Sequence, residues 1–415
     1  MEGSEFYPRF IQGRLSEALE DSPVVLIQGP RQSGKTTLAR IACATHTYFS
    51  LDDDVVRGGA IADPMGFIAN LPERVVLDEV QRVPSLFTTL KLEIDRNRVP
   101  GRFVLTGSTN VLAVPAIQDS LAGRLETVRL HPLSQCELNA TNPAVRGFIG
   151  SLFEGDFTFR RTERLGTGLA ERIASGGYPA ALARPHGRRR LNWYSNYADA
   201  QAQRDIGDLA RISGLDTLPR LLALAAAHSA QLFNVSNLAA PFQLSRPTIG
   251  QYLTLLERVY LLERLPPWHR NLAKRLVKTP KLHIGDTGLA CALLGVDERT
   301  LSSDRQLLGQ LLETFVFQEL RRQATWFDGP VEFFHYRDKD QVEVDIVLEN
   351  GRRVAGIEVK AGATVTASDF RGLRRLKEAS GTGFAAGVVL YDGESVVGFG
   401  DNLYAVPVRL LWETP

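Results

Sequence analysis

Short apolar runs without alternation punctuate the first third of the chain: Val24-Val25-Leu26-Ile27, Tyr48-Phe49-Ser50-Leu51, Val75-Val76-Leu77 and Phe103-Val104-Leu105. Each ends in polar or glycine residues: Gln28-Gly29, Asp52-Asp53-Asp54, Asp78-Glu79 and Thr106-Gly107-Ser108. Runs of this kind read as strands buried on both faces, the signature of a parallel sheet. Before and between them lies helical spacing, with Phe10, Leu15, Ala18 and Leu19 inside 9–20 ahead of the first run, and Leu38 to Ala42 continuing a helix after it. Leu125 to Leu130 alternates. The acidic triplet is either a cation site or a solvated turn that caps a helix.

The pattern then changes. Thr141 to Asp156 reads as loop, and Arg164–Ala183 and Leu191–Ile212 as helices broken at Gly176-Gly177-Tyr178-Pro179. A helix from about Val235 breaks near Pro241–Leu244, and Ser245 is a good N-cap for a second helix beginning Arg246-Pro247-Thr248. That is helix–turn–helix spacing, with a strand from Tyr260 to Pro266 starting a wing. Leu307 to Arg322 predicts a strongly apolar helix carrying Glu313 and Glu319. Strands follow at 331–336 and 342–348, and Asn350-Gly351 signals a hairpin into 354–359.

Length and composition narrow the class. A chain of 415 residues, 44% hydrophobic and 23% charged, has material for several cores. The formal net charge of +1 excludes a global basic field, so any nucleic-acid footprint must be local. The three cysteines lack metal-ligand spacing, the start has no signal-peptide character and no run approaches a membrane span, so a cytoplasmic protein without membrane contact is expected.

Candidate chemistry sits at the strand ends. Gly29-Pro30-Arg31-Gln32-Ser33-Gly34-Lys35-Thr36-Thr37 fits G-x-x-x-x-G-K-[ST] between a strand and a helix. Such a loop wraps phosphates in backbone N–H groups, with Lys35 reaching the β and γ phosphates of ATP and Thr36 a ligand of Mg2+. Asp78 and Glu79 emerge where α/β sheets bind ligands: Asp78 suits Mg2+, and Glu79 suits polarising the attacking water. Thr106, or else Ser108, suits contact with the γ-phosphate or that water. Arg124, just before a strand, is either an arginine finger for a neighbouring subunit's nucleotide or the partner of a nearby acid.

In the middle, Arg264 to Lys281 holds six Lys or Arg and no Asp or Glu. A locally basic wing suits phosphate backbone, and the candidate DNA contacts are Arg246, Gln251, Arg270, Lys274, Arg275 and Lys278. Winged helices also dock proteins, and both readings stay open. On the strand around 342–348, Glu343 and Asp345 share one face, and Glu358 and Lys360 share a face of the next.

The words Gly29–Lys35, Leu77–Gln81, Leu105–Ser108, Leu121–Arg124 and Leu130–Ser134 together resemble the prokaryotic AAA-type ATPases that carry an uncharacterised C-terminal domain, and His283–Leu289 is similar to the same family. Residues 307–391 resemble the PD-(D/E)xK nuclease superfamily and its branched-DNA resolvases, through Glu313, Asp345 and Glu358-Val359-Lys360, with Val344 where the proline would stand. The resemblance implies an α/β fold in four parts: an AAA-type core at 1–140, a helical lid at 141–230, a winged helix-turn-helix at 231–300 and a nuclease-like domain at 301–415. It implies catalytic roles for Glu313, Asp345, Glu358 and Lys360, with Mg2+ on Asp345 and Glu358, in a domain that either cleaves DNA or only binds it. ATP hydrolysis acting on duplex or branched DNA, in a homo-oligomer such as a hexamer, is the expected function. A nucleotide-gated binding switch and an ATP-regulated nuclease are the alternatives.

Overall fold

The computed structural model describes residues 6–108, 121–140, 147–202, 206–209, 216–271, 275 and 279–413. The chain divides into two compact units, Met1–Leu133 with Arg258–Tyr260, and Ser134–Glu257 with Leu261–Pro415. Among the described residues, no helix is long and apolar enough to cross a membrane.

In the first unit the apolar runs become strands β1 (Val24–Gln28), β2 (Thr47–Ser50), β3 (Val75–Asp78) and β4 (Phe103–Gly107), joined by β5 (Leu125–Arg129). Their order is β2-β3-β4-β1-β5, with every pairing parallel. Alternate strand residues enter two cores. Leu26, Leu77 and Leu105 pack with Phe87 and Leu90 on one face. Val25, Ile27, Val76 and Val104 pack with Leu15, Leu38 and Ala39 on the other. The register, Leu26 to Leu105 and Leu105 to Leu77, brings the C-terminal ends of β1, β4 and β3 side by side. The acidic triplet resolves into a cap: Asp53 accepts hydrogen bonds from Val55 and Val56 N–H at the start of the helix Asp54–Ala62.

The second unit begins with a departure from the sequence pattern. Within the segment expected as loop, Gly147–Glu154 is a helix whose Phe148, Ile149, Leu152 and Phe153 are buried. The two glycines obscure an apolar face that packing stabilises more than their low propensity weakens it. Further on, the helix Thr217–Ala227 leads to β6 (Gln231–Leu232), the helices Val235–Ala239 and Arg246–Arg258, then β7 (Leu262–Leu265) and β8 (Lys281–Ile284). The three strands form an antiparallel sheet ordered β6-β8-β7.

The C-terminal part is a six-stranded mixed sheet, β13-β14-β12-β11-β10-β9. Its strands are β9 (Glu332–Arg337), β10 (Glu343–Asn350), β11 (Arg353–Lys360), β12 (Phe384–Tyr391), β13 (Val397–Gly398) and β14 (Leu403–Pro407). β10 and β11 form an antiparallel hairpin, turned at Gly351 with φ +60°, while β11 pairs parallel with β12 after the helix Arg371–Ser380. The helix Arg305–Gln323 is buried along most of its length.

Candidate functional site

The loop Gly29–Gly34 turns tightly between β1 and the helix Lys35–Ala42, with Gly34 at φ +98°. Gly29 must be glycine for space, because a Cβ there would stand 1.9 Å from the Leu130 carbonyl oxygen. Pro30, Ser33 and Lys35 are buried, Arg31, Gly34 and Thr36 half-buried, and Gln32 and Thr37 exposed. Lys35 Nζ donates to the carbonyls of Gly29 at 3.0 Å and Pro30 at 2.9 Å, while Ser33 Oγ is buried without a hydrogen-bond partner among the described residues.

Across the strand ends, Asp78 collects hydroxyls. Thr36 Oγ1 donates to its Oδ2 at 3.0 Å, and Thr106 Oγ1 and Tyr48 Oη also donate to it. Burial and then the Asp78 carboxylate push the Tyr48 phenol up to about 12. Glu79 follows in a left-handed conformation, φ +58°, with its N–H donating to Thr106 Oγ1 at 3.0 Å. Its carboxylate accepts from Ser108 Oγ at 3.1 Å and from Gln81 Nε2, which also lies 2.9 Å from Ser108 Oγ. Thr106 therefore orders Asp78, and Ser108 orders Glu79. Arg124 pairs with Asp95 at 2.6 Å on the surface, and that bond holds Asp95 below the usual carboxylate range.

Arg9, Tyr48 and Gln81 join the site without having been expected from the sequence. Arg9 donates to the carbonyls of Ser33 at 2.7 Å and His131 at 2.6 Å, bracing the phosphate loop. Tyr48 had a usable signal, its place on the strand beside Asp78. Arg9, on an amphipathic N-terminal segment, had none.

In the second unit Glu313, Asp345 and Glu358 come together, with Lys281 between them. Lys281 Nζ lies 2.7 Å from Glu313 Oε1 and 3.2 Å from Asp345 Oδ1. Val359 N–H donates to Asp345 Oδ2 at 2.9 Å. Burial, then the Asp345 charge, pushes the Glu313 carboxyl up to about 8. Burial and Asp345 likewise raise Glu358 far above its ordinary range. Asp345 is itself held low: burial opposes this, but the Lys281 ammonium and the Val359 N–H outweigh it. Lys360, half-buried at the end of β11, adds a positive charge near Glu358.

Three of the four described cations of the basic stretch have internal partners. Arg275 pairs with Glu349 at 2.8 Å, donates to the His269 carbonyl at 2.7 Å and stacks over Phe334. Arg264 pairs with Glu257 at 3.3 Å, and Lys281 lies in the carboxylate cluster. Arg246, Gln251 and Arg270 are exposed. Lys274 and Lys278 lie outside the described residues.

Residues 21–139 match the family model described as an AAA domain; 166–300 and 308–411 match two domains of unknown function, DUF8612 and DUF4143. Two solved structures are distant likenesses. The Walker-type ATPase PABY2304 of Pyrococcus abyssi is 15% identical, covering 68% of this chain and 94% of that one at a TM-score of 0.40. The Thermotoga maritima RuvB Holliday junction branch migration motor is 20% identical, covering 62% and 89% at 0.29. The uncharacterized proteins Rv2008c of Mycobacterium tuberculosis and Mb2031c of Mycobacterium bovis are each 30% identical over 404 residues, 97% of this chain and 83% of theirs. With an AAA-type P-loop ATPase fold in its first unit, the chain belongs to the family of these two mycobacterial proteins.

Proposed function

We propose that the chain hydrolyses ATP in its first unit and couples that hydrolysis to DNA through its second. The observation that carries the reading is the placement of Glu79: its carboxylate is held by Ser108 and Gln81 at the end of β3, one residue from Asp78, which accepts from Thr36 just after the phosphate loop. A carboxylate oriented by two donors at that point is a base for the attacking water. Lys35, now on two loop carbonyls, transfers its ammonium to the β and γ phosphates as they enter the loop. Ser33 Oγ, buried without a partner, gains a phosphate oxygen as acceptor.

The hydroxyl of Thr36 and the carboxylate of Asp78, 3.0 Å apart, are hard oxygen donors that fit Mg2+ and would hold it. When bound, Mg2+ neutralises charge building on the phosphates. Glu79→Gln should keep nucleotide affinity and lose turnover by about 100-fold or more, while Lys35→Ala should lose nucleotide binding. Calorimetry and a phosphate-release assay read the two; normal turnover in Glu79→Gln removes the residue from the mechanism.

For the second unit, the order helix, β6, two helices, β7, β8 supports a winged-helix reading, and the helix Arg246–Arg258 leaves Arg246 and Gln251 exposed. Branched or duplex DNA is the proposed ligand and a homo-oligomer, such as a hexamer, the proposed assembly. The C-terminal order of helix, three strands, helix and strand supports a nuclease-like fold, and the four-part division 1–140, 141–230, 231–300 and 301–415 belongs to the same reading. A second reading, a nucleotide-gated switch whose C-terminal domain recognises without cutting, is favoured by the internal pairing of Arg275 and Lys281.

A further inference from the structure

A nuclease-like domain would hold a divalent cation on Asp345 and Glu358, yet Asp345 already has a cation. Lys281 enters from β8, 64 residues away in sequence, and its side chain is 3% exposed. It bridges Glu313 and Asp345, whose second oxygen is taken by the Val359 N–H. Glu358 is 8% exposed, and a Cβ added at Gly372 of the overlying helix would stand 2.7 Å from Glu358 Oε1, so this side of the cluster is closed by backbone.

Among the described residues, no three His, Cys, Asp or Glu side chains are grouped as metal ligands. An ammonium within hydrogen-bond distance of two carboxylates and a divalent ion on the same oxygens repel at close range in a weakly screened interior. The residues present therefore do not fit the metal that the resemblance implies.

We propose that Lys281 is a tethered cation that takes the metal's place in the C-terminal domain, so that the folded chain binds no divalent cation at Asp345 and the domain serves recognition instead of phosphodiester cleavage. The lysine does for the carboxylates what a metal does in a nuclease, compensating their charge, but it brings no Lewis acidity and no bound water. Its origin on the strand next to the helix–turn–helix ties the carboxylate cluster to that sheet. The inference rests on the nuclease-like reading of the fold.

Mn2+ binding to the full chain without nucleotide, followed by the EPR signal of the free ion, tests it. Wild type and Asp345→Asn should bind equally, because the phosphate-loop background is common to both. Lys281→Ala should bind one further Mn2+ per chain, lost again in the double variant with Asp345→Asn. Lys281→Arg, which keeps the charge, should match wild type. More Mn2+ on wild type than on Asp345→Asn overturns the tethered cation and leaves the nuclease-like reading intact. A folded Lys281→Ala protein with no further Mn2+ overturns both. Should Lys281→Ala not fold, the wild-type comparison and Lys281→Arg still decide, extra Mn2+ on either counting against the proposal.

Discussion

His283 stands on β8 with Nδ1 3.1 Å from Thr314 Oγ1 and Nε2 buried without a hydrogen-bond partner among the described residues. Burial first, then the Lys281 and His335 charges, lowers its pKa well below 6.5, so the folded state holds it neutral. The unfolded chain takes up that proton near 6.5 and the folded one resists it. Stability from this group is therefore complete above pH 6.5 and is lost as pH falls below it. Chemical denaturation of wild type and His283→Gln between pH 7 and 5 checks the sign, the wild-type stability falling more steeply by up to about 1.4 kcal/mol per pH unit, the limit for one proton. Equal slopes would place the titration elsewhere. The sequence places this residue at the head of the stretch similar to the family but does not mark its burial, since the period-2 pattern of a four-residue strand does not say which face is dry. Thr106 and Ser108, by contrast, were legible as hydroxyls at a strand end, though only the packed strands show that one serves Asp78 and the other Glu79.

Elements in the second unit are locked by buried charge. Asp286 caps the helix Thr287–Leu294 through Gly288 and Leu289 N–H, accepts from Gly177 N–H at 2.8 Å and pairs with Arg322 at 3.1 Å. Arg322 also binds Glu319 at 2.6 Å, whose other oxygen accepts from Gln135 N–H at 2.8 Å. The network ties the Gly176-Gly177 break, β8 and the long helix Arg305–Gln323 into one piece. Asp286→Ala removes the cap and leaves Arg322 with one carboxylate fewer, a loss of about 3–5 kcal/mol on the scale of broken buried pairs. Urea unfolding followed by tryptophan fluorescence measures it; a loss below about 1 kcal/mol would mean that water replaces the carboxylate. In the sequence Asp286 belongs to a stretch that resembles the family, but without Arg322 beside it the residue had no mechanism.

For the molecule as a whole, the exposed cations are where the proposed coupling of ATP hydrolysis to DNA is tested. Arg246→Ala with Arg270→Ala should lower the salt slope of DNA binding by about one for each phosphate left without its cation, read by titrating labelled duplex and four-way DNA at several ionic strengths. An unchanged slope would favour protein docking by this helix. The sequence by itself determined the P-loop fold of the first unit, because a phosphate loop and the carboxylates at strand ends are contiguous words whose geometry follows from strand and helix alone. Parallel strands then align their ends, and Thr36 meets Asp78 without further information. Only the tertiary structure decided the fate of the second unit's charges. A basic run reads as a solvated field, but folding desolvates Arg275 and Lys281 and pairs them with Glu349, Glu313 and Asp345, 32 to 74 residues away. Spacing along a chain determines which side chains share a face; which opposite charge each one meets is set by how separate elements pack, and in a dry interior that choice decides whether a lysine binds phosphate or stands where a metal would.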